Sequence, residues 1–124
     1  MTYRAGKPRP APVVRPRIRV TQGSEIVVGP GKADLLDAVQ ATGSLRKAAA
    51  ALRMSYMRAW QLVQTMNRAF RDPVVILVRG GAAHGGAALT PAGKRVLALY
   101  RAMERKCARA ATADARALGR LLRT

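Results

Sequence analysis

Two periods of apolar residues divide the chain. Near its start, Arg17-Ile18-Arg19-Val20 alternates charged and apolar side chains, and Glu25-Ile26-Val27-Val28 follows after Thr21-Gln22-Gly23-Ser24. A period of two leaves one face wet, and Gly23 suits a turn, so these runs predict a β-hairpin. Gly29-Pro30-Gly31 then breaks the strand, and the period becomes helical. Leu35, Leu36 and Val39 predict a helix from about Pro30 to Ala41, with Pro30 in its first turn and Gly43 ending it. Leu45, Ala48, Ala49 and Leu52 stand at i, i+3, i+4 and i+7 behind Ser44, a suitable N-cap. Arg53-Met54 allows only a tight connection before a second cap, Ser55. A third helix runs to about Phe70 with Ala59, Val63, Met66 and Phe70 on its inner stripe. Two short helices, each behind its own serine and joined by a tight turn, predict a helix-turn-helix.

Beyond Pro73, Val74-Val75-Ile76-Leu77-Val78 is β-branched and apolar and reads as a strand. The stretch from Arg79 to Ala87 is rich in glycine, and Ala88-Leu89-Thr90 offers a second short strand. Strand, glycine-rich loop and strand directly after a helix-turn-helix predict a wing. A nucleotide-phosphate loop loses the comparison, because GxxxxGK[ST] is missing and the loop leads to a strand, not a helix N-terminus. Thr90-Pro91 caps a long last helix. Along it Val96, Tyr100, Met103, Cys107, Ala110, Ala117 and Leu121 form an apolar seam broken at Asp114, with Arg95, Arg101, Arg105, Lys106 and Arg109 elsewhere on the surface. Such a seam has to pack on its own domain, on a second copy of the chain or on a membrane, and the second copy is preferred, since palindromic operators pair with two-fold symmetric proteins. The fold expected is mainly α with a small β component: a winged helix-turn-helix over 17–90, a dimerising helix over 91–124, and a flexible basic arm over 1–16. That arm holds four of the seven prolines and no acid.

Charge turns this outline into a choice of partner. The chain has 124 residues, with 23 Lys or Arg against 6 Asp or Glu, a formal charge of +17. This length suits a single domain with little room for a separate catalytic one, and an excess so large favours polyanions. A membrane surface is the weaker partner, because the seam is narrow and has no tryptophan or phenylalanine. Double-stranded DNA remains. One histidine, one cysteine and six scattered acids offer no acid/base constellation, so no enzyme, metal or cofactor is expected. A single Cys107 fits a reducing cytoplasmic setting at the nucleoid, and as a free cysteine it is expected to be buried.

Between Ser44 and Arg71 there is no acid at all. With Ala59, Val63, Met66 and Phe70 inward, the third helix turns Met57, Arg58, Gln61, Gln64, Thr65 and Arg68 outward. Arginine can address guanine bidentately, glutamine adenine, and hydroxyls phosphate. Arg46, Lys47, Arg53 and Ser55 extend this basic surface, and Arg79 and His84 stand where a wing would meet DNA. Tyr56 and Trp60, at i and i+4, read equally as backbone contacts or as a half-buried pair.

Several of these stretches resemble a known family. Gly31-Lys32-Ala33 through Thr42-Gly43-Ser44-Leu45, Met54-Ser55-Tyr56-Met57-Arg58-Ala59-Trp60 with Met66-Asn67, the glycine-rich wing and Leu89-Thr90-Pro91-Ala92-Gly93 look like the N-terminal DNA-binding domain of molybdate-dependent regulators of the ModE type. The winged helix of LysR-type regulators is a more distant likeness. The resemblance covers about residues 17–110. It implies a third helix that reads the major groove through Ser55, Tyr56, Met57, Arg58 and Gln61, a wing over 79–86, a long dimer helix, and control of molybdenum-related genes. Family members bind molybdate in C-terminal β domains; here some 34 residues follow Thr90, nearly all of them expected to be helical, and no molybdate site transfers. Arg53 stands where the turn often has glycine, which at φ > 0 costs about 1 kcal/mol.

The expected function is therefore that of a homodimeric, sequence-specific DNA-binding regulator without a ligand sensor of its own. The alternatives are a weakly specific architectural nucleoid protein and an interaction module serving a separate ligand-sensing protein.

Overall fold

The computed structural model describes residues 9–78 and 86–123. The first hairpin pairs β1 (Val20–Gln22) with β2 (Glu25–Val28), antiparallel and in register at Gln22 and Glu25. Gly23, at φ +60°, makes its turn. Strand β1 starts at Val20, so the alternation read from Arg17 begins in extended chain ahead of the sheet. Helix α1 (Pro30–Thr42) has Pro30 in its first turn and ends on Gly43 at φ +68°, whose N–H donates to the Val39 carbonyl.

Helix α2 (Leu45–Ala51) and helix α3 (Tyr56–Ala69) are capped as expected. Ser44 Oγ accepts from the Lys47 N–H at 3.1 Å, and Ser55 Oγ from the Arg58 N–H at 3.0 Å. Between them, Arg53 takes φ +57°. Its N–H donates to the Ala50 carbonyl and that of Met54 to Ala49, so the turn is a Schellman motif with arginine in the left-handed position usually held by glycine.

Strands β3 (Val75–Val78) and β4 (Gly86–Leu89) pair antiparallel from Val75–Leu89 to Val78–Gly86. Gly86 and Ala87, read above as loop, are therefore strand residues. They also tie the wing to the helices, because Ala87 N–H donates to the Gly43 carbonyl and Gly86 bridges Ser44. Asn67 at the end of α3 fixes where the wing begins: its Oδ1 accepts from the N–H groups of Val74 and Val75 at 2.8 and 3.2 Å, and its Nδ2 donates to the Val75 carbonyl at 3.0 Å.

One core joins these parts: Val27, Val28, Leu35, Leu36, Val39, Leu45, Ala48, Ala49, Ala59, Val63, Met66, Val74, Val75 and Leu89 are buried together. The architecture is a winged helix-turn-helix preceded by a hairpin.

The C-terminal region departs from the seam expected of it. Helix α4 (Pro91–Ala110) is capped by Thr90 Oγ1, which accepts from the Gly93 N–H, and it stops at Ala111; a separate α5 (Thr112–Gly119) follows. Thr112 Oγ1 donates back to the Ala108 carbonyl at 3.0 Å, a local bond of the kind that bends helices. Tyr100 is 1% exposed within its own domain, and its hydroxyl donates to the Ile18 carbonyl at 2.7 Å, so it cannot serve a seam between copies. Val96 and Met103 are half-buried against the same core, and Leu97, outside the expected stripe, is buried. Cys107 is exposed, not buried, and Ala110 is exposed beside it. The buried residues of α4 are Gly93, Leu97 and Tyr100; Cys107, two turns beyond Tyr100 on the same face, lies past the end of the core.

Three of the six acids meet at one arginine. Arg101 on α4 pairs with Asp34 at 2.9 Å and with Asp37, both on α1, and with Glu104 at 2.8 Å on its own helix. Burial alone would lower the pKa of its guanidinium; hydrogen bonds to Glu104, Asp34 and Asp37 outweigh that and raise it. The network fastens α4 to α1.

Candidate nucleic-acid interface

Helix α3 owes its outer face to its inner one. Ala59, Val63 and Met66 are fully buried, so the helical period sends the intervening residues to the surface. Arg58, Gln61 and Arg68 are exposed, and Met57 is 59% exposed. Gln64 and Thr65 are only half-buried, and the Thr65 hydroxyl donates to the Gln61 carbonyl at 2.9 Å. Its proton is therefore used within the helix, which leaves its oxygen as an acceptor. Ser55 is exposed at the helix start; as a cap its oxygen accepts, so its own proton stays free for a phosphate oxygen.

Helix α2 supplies a second row. Arg46 and Lys47 are exposed, and the Arg46 guanidinium lies over the Tyr56 ring, 4.9 Å from its centroid. The Tyr56 ring is half-buried against the core, and the cation–π contact links Arg46 on α2 to α3. Trp60, one turn on, is 39% exposed. Arg53 is exposed at the turn. Every ion pair among the described residues involves Arg101, so the guanidinium and ammonium groups of Arg46, Lys47, Arg53, Arg58 and Arg68 are not engaged by carboxylates. Arg79 and His84, expected at the wing, lie outside the described residues.

Some basic residues near this face escaped the reading by helical period. Arg17 and Arg19 precede β1, and Lys32 lies in the first turn of α1; they share a cavity wall with Arg58. The charged–apolar alternation from Arg17 to Val20 marked one face as wet but carried no sign of the helix it would meet.

With this geometry in place, comparison with known proteins is decisive. Residues 32–94 match the family model described as the bacterial regulatory helix-turn-helix protein, lysR family. The chain belongs to that family. Its matched region runs from α1 to the start of α4 and includes α2 and α3, which carry the basic face. The family is one of regulators, not of enzymes, and the domain is a DNA-binding one.

Among curated proteins, the chain is 43% identical over 70 residues to a molybdenum transport protein ModE of Azotobacter vinelandii, covering 56% of this chain and 26% of that protein. It is 46% identical over 77 residues to the molybdenum-pterin-binding protein MopB of Rhodobacter capsulatus, covering 62% and 28%. A transcriptional regulator ModE of Haemophilus influenzae is 35% identical over 80 residues, covering 64% and 31%. The chain thus matches between a quarter and a third of the length of these relatives. The likeness to ModE-type regulators read from the sequence is supported over the domain they share. No helix among the described residues is long and apolar enough to cross a membrane.

Proposed function

We propose that the chain is a sequence-specific transcriptional regulator that binds operator DNA as a homodimer, with α3 in the major groove and the wing on the flanking backbone. One observation carries the reading: Arg58, Gln61 and Met57 stand exposed on a helix without a single acid, beside a second exposed row at Arg46 and Lys47. These are side chains that discriminate base edges, set in a surface that attracts phosphate. Two relatives are named for molybdenum transport and for binding molybdenum-pterin, which supports genes connected with molybdenum as its targets.

Dimerisation is supported by exposed leucines at the C-terminal end: Leu99 on α4, Leu118 on α5, and Leu121 and Leu122 beyond it, Leu121 being 87% exposed. With Tyr100 committed to the core, these leucines offer a better contact surface than the Val96–Ala110 seam. Light scattering on the chain and on Leu118→Glu/Leu121→Glu tests it: a dimer that becomes a monomer is expected, and an unchanged mass refutes it.

The decisive experiment on DNA is selection of bound duplexes from a random pool, with and without molybdate. A palindromic consensus is expected. A featureless pool would favour the architectural reading, for which the charge of +17 alone suffices. A consensus that responds to molybdate only when a second protein is added would place the sensor in a separate partner.

A further inference from the structure

The first turn of α1, the approach to β1 and the exposed side of α3 line an open cavity of about 460 Å³. Four cationic side chains from three stretches of chain line it: Arg17, Arg19, Lys32 and Arg58. No carboxylate lines it, and none of the four is in an ion pair among the described residues. Ile26 and Leu62 contribute apolar wall between the charges. Lys32 is anchored in place, since its ammonium donates to the Ile26 carbonyl and keeps its other protons available.

The cations also act on one another. Burial lowers the Lys32 pKa, Glu25 counters part of this, and the positive charge of Arg58 lowers it further. Like charges facing each other across a cleft are relieved by an anion between them. The cleft's volume lies within the roughly 300–1,000 Å³ usual for small-molecule sites. A bare phosphate group would leave the wall of Ile26 and Leu62 unused, whereas an anion with an apolar body would cover it.

We propose that this cavity binds a small organic anion, its phosphate or carboxylate head held by Lys32, Arg19 and Arg58 and its apolar body on Ile26 and Leu62. Because Arg58 also belongs to the outer face of α3, an occupied cavity withdraws it from DNA. The site is then an effector site that weakens DNA binding. That consequence rests on the operator-binding reading, whereas ligand binding itself does not.

The first measurement therefore contains no DNA. Phenyl phosphate and inorganic phosphate are titrated into the full chain by calorimetry at one ionic strength. Phenyl phosphate is expected to bind about tenfold more tightly or better, as burial of an aromatic ring allows. Equal affinities would mark a seat for bare phosphate such as that of a DNA backbone, and no heat up to about 10 mM phenyl phosphate would leave no site; either overturns the proposal. Lys32→Ala should weaken phenyl phosphate by roughly tenfold or more, the loss expected for a charged hydrogen bond. Arg19→Ala, at an exposed position, should move affinity in the same direction and guards against misfolding of the first variant. If either variant folds and keeps the original affinity, the assignment fails.

The second measurement follows a fluorescent duplex carrying the consensus selected from the random pool, because Arg58 is assigned to operator preference. Saturating phenyl phosphate should weaken its binding by about fivefold or more in the original chain and by less than about twofold in Lys32→Ala. Ligand binding that leaves DNA affinity unchanged would overturn the effector role. A chain that binds phenyl phosphate but no DNA at all would instead refute the operator reading.

Discussion

A Cβ on Gly93 would stand 2.0 Å from the Val74 carbonyl oxygen. The first turn of α4 therefore lies against the backbone at the start of β3, and the same carbonyl accepts from the Thr90 N–H at 3.0 Å. The backbone cannot yield as a flexible side chain would. Gly93→Ala is expected to push α4 off the wing and lower stability by about 3 kcal/mol or more, as overpacking against an immobile neighbour does. Urea unfolding checks this; a loss below roughly 1 kcal/mol would show that the helix moves freely.

Asn67 holds three backbone groups of Val74 and Val75 with one side chain. Asn67→Leu leaves two N–H groups and a carbonyl without these partners and should reduce stability by about 2–4 kcal/mol. Asn67→Asp keeps the acceptor for both N–H groups but sets a carboxylate oxygen against the Val75 carbonyl, so it too should be less stable than the original chain, with a smaller deficit at low pH, where the protonated acid can donate. Denaturant midpoints of the three chains, at neutral and at low pH, are the test.

Arg53 occupies the left-handed turn position at φ +57°. Glycine is unstrained there, so Arg53→Gly should raise stability by up to about 0.5 kcal/mol once glycine's own entropy is deducted. If the guanidinium meets a phosphate, the same variant should bind every duplex less well, with a salt slope smaller by about 1. Stability and affinity would then move in opposite directions, which thermal scans and titrations at several salt concentrations can establish.

Arg58 and Gln61 are exposed on α3, and Arg68 lies near its end. Arg58→Ala and Gln61→Ala should each reduce the preference for operator over random DNA by about 1–3 kcal/mol. Arg68→Ala should weaken both DNAs alike. For roughly 6–10 phosphate contacts, affinity of the original chain should fall about 10³–10⁵-fold between 50 and 200 mM salt. Insensitivity to salt would remove the electrostatic basis of the interface.

Tyr100 reports on alkaline stability. Burial raises its pKa, and its hydroxyl donates to the Ile18 carbonyl. In the unfolded chain the phenol loses its proton near pH 10, while the folded chain retains it to higher pH. The unfolded state then binds fewer protons, so stability falls as pH rises above about 10. Tyr100→Phe should flatten that decline and reduce stability near neutrality by about 1 kcal/mol. Equal alkaline slopes in the two proteins would assign the decline to other groups.

What the sequence disclosed was local. Ser44 and Ser55 as caps, Gly43 as a stop, Pro30 in the first turn and the inner stripe of α3 all depend on residues within a turn or two. The hairpin and wing were visible for the same reason. Arg101 meets Asp34 and Asp37 across separations of 67 and 64 residues, and Tyr100 meets Ile18 across 82. No period or spacing encodes such meetings. The seam on α4 misled because an apolar stripe shows that something covers it without showing what, and here Tyr100 is covered by the chain's own N-terminal approach. The cavity was missed likewise, since Arg19, Lys32 and Arg58 come together only once the hairpin lies against α1 and α3.

Arg101 gathers three of the six acids onto the junction of α1 and α4, while α2 and α3 carry none. The carboxylates that could oppose a polyanion are thus held where α1 meets α4, and every charged residue of α2 and α3 is cationic. Under the DNA-binding reading proposed above, the Arg101 cluster then has a second role besides fastening two helices: it occupies acids that would otherwise be free to attract the arginines and lysine of α2 and α3.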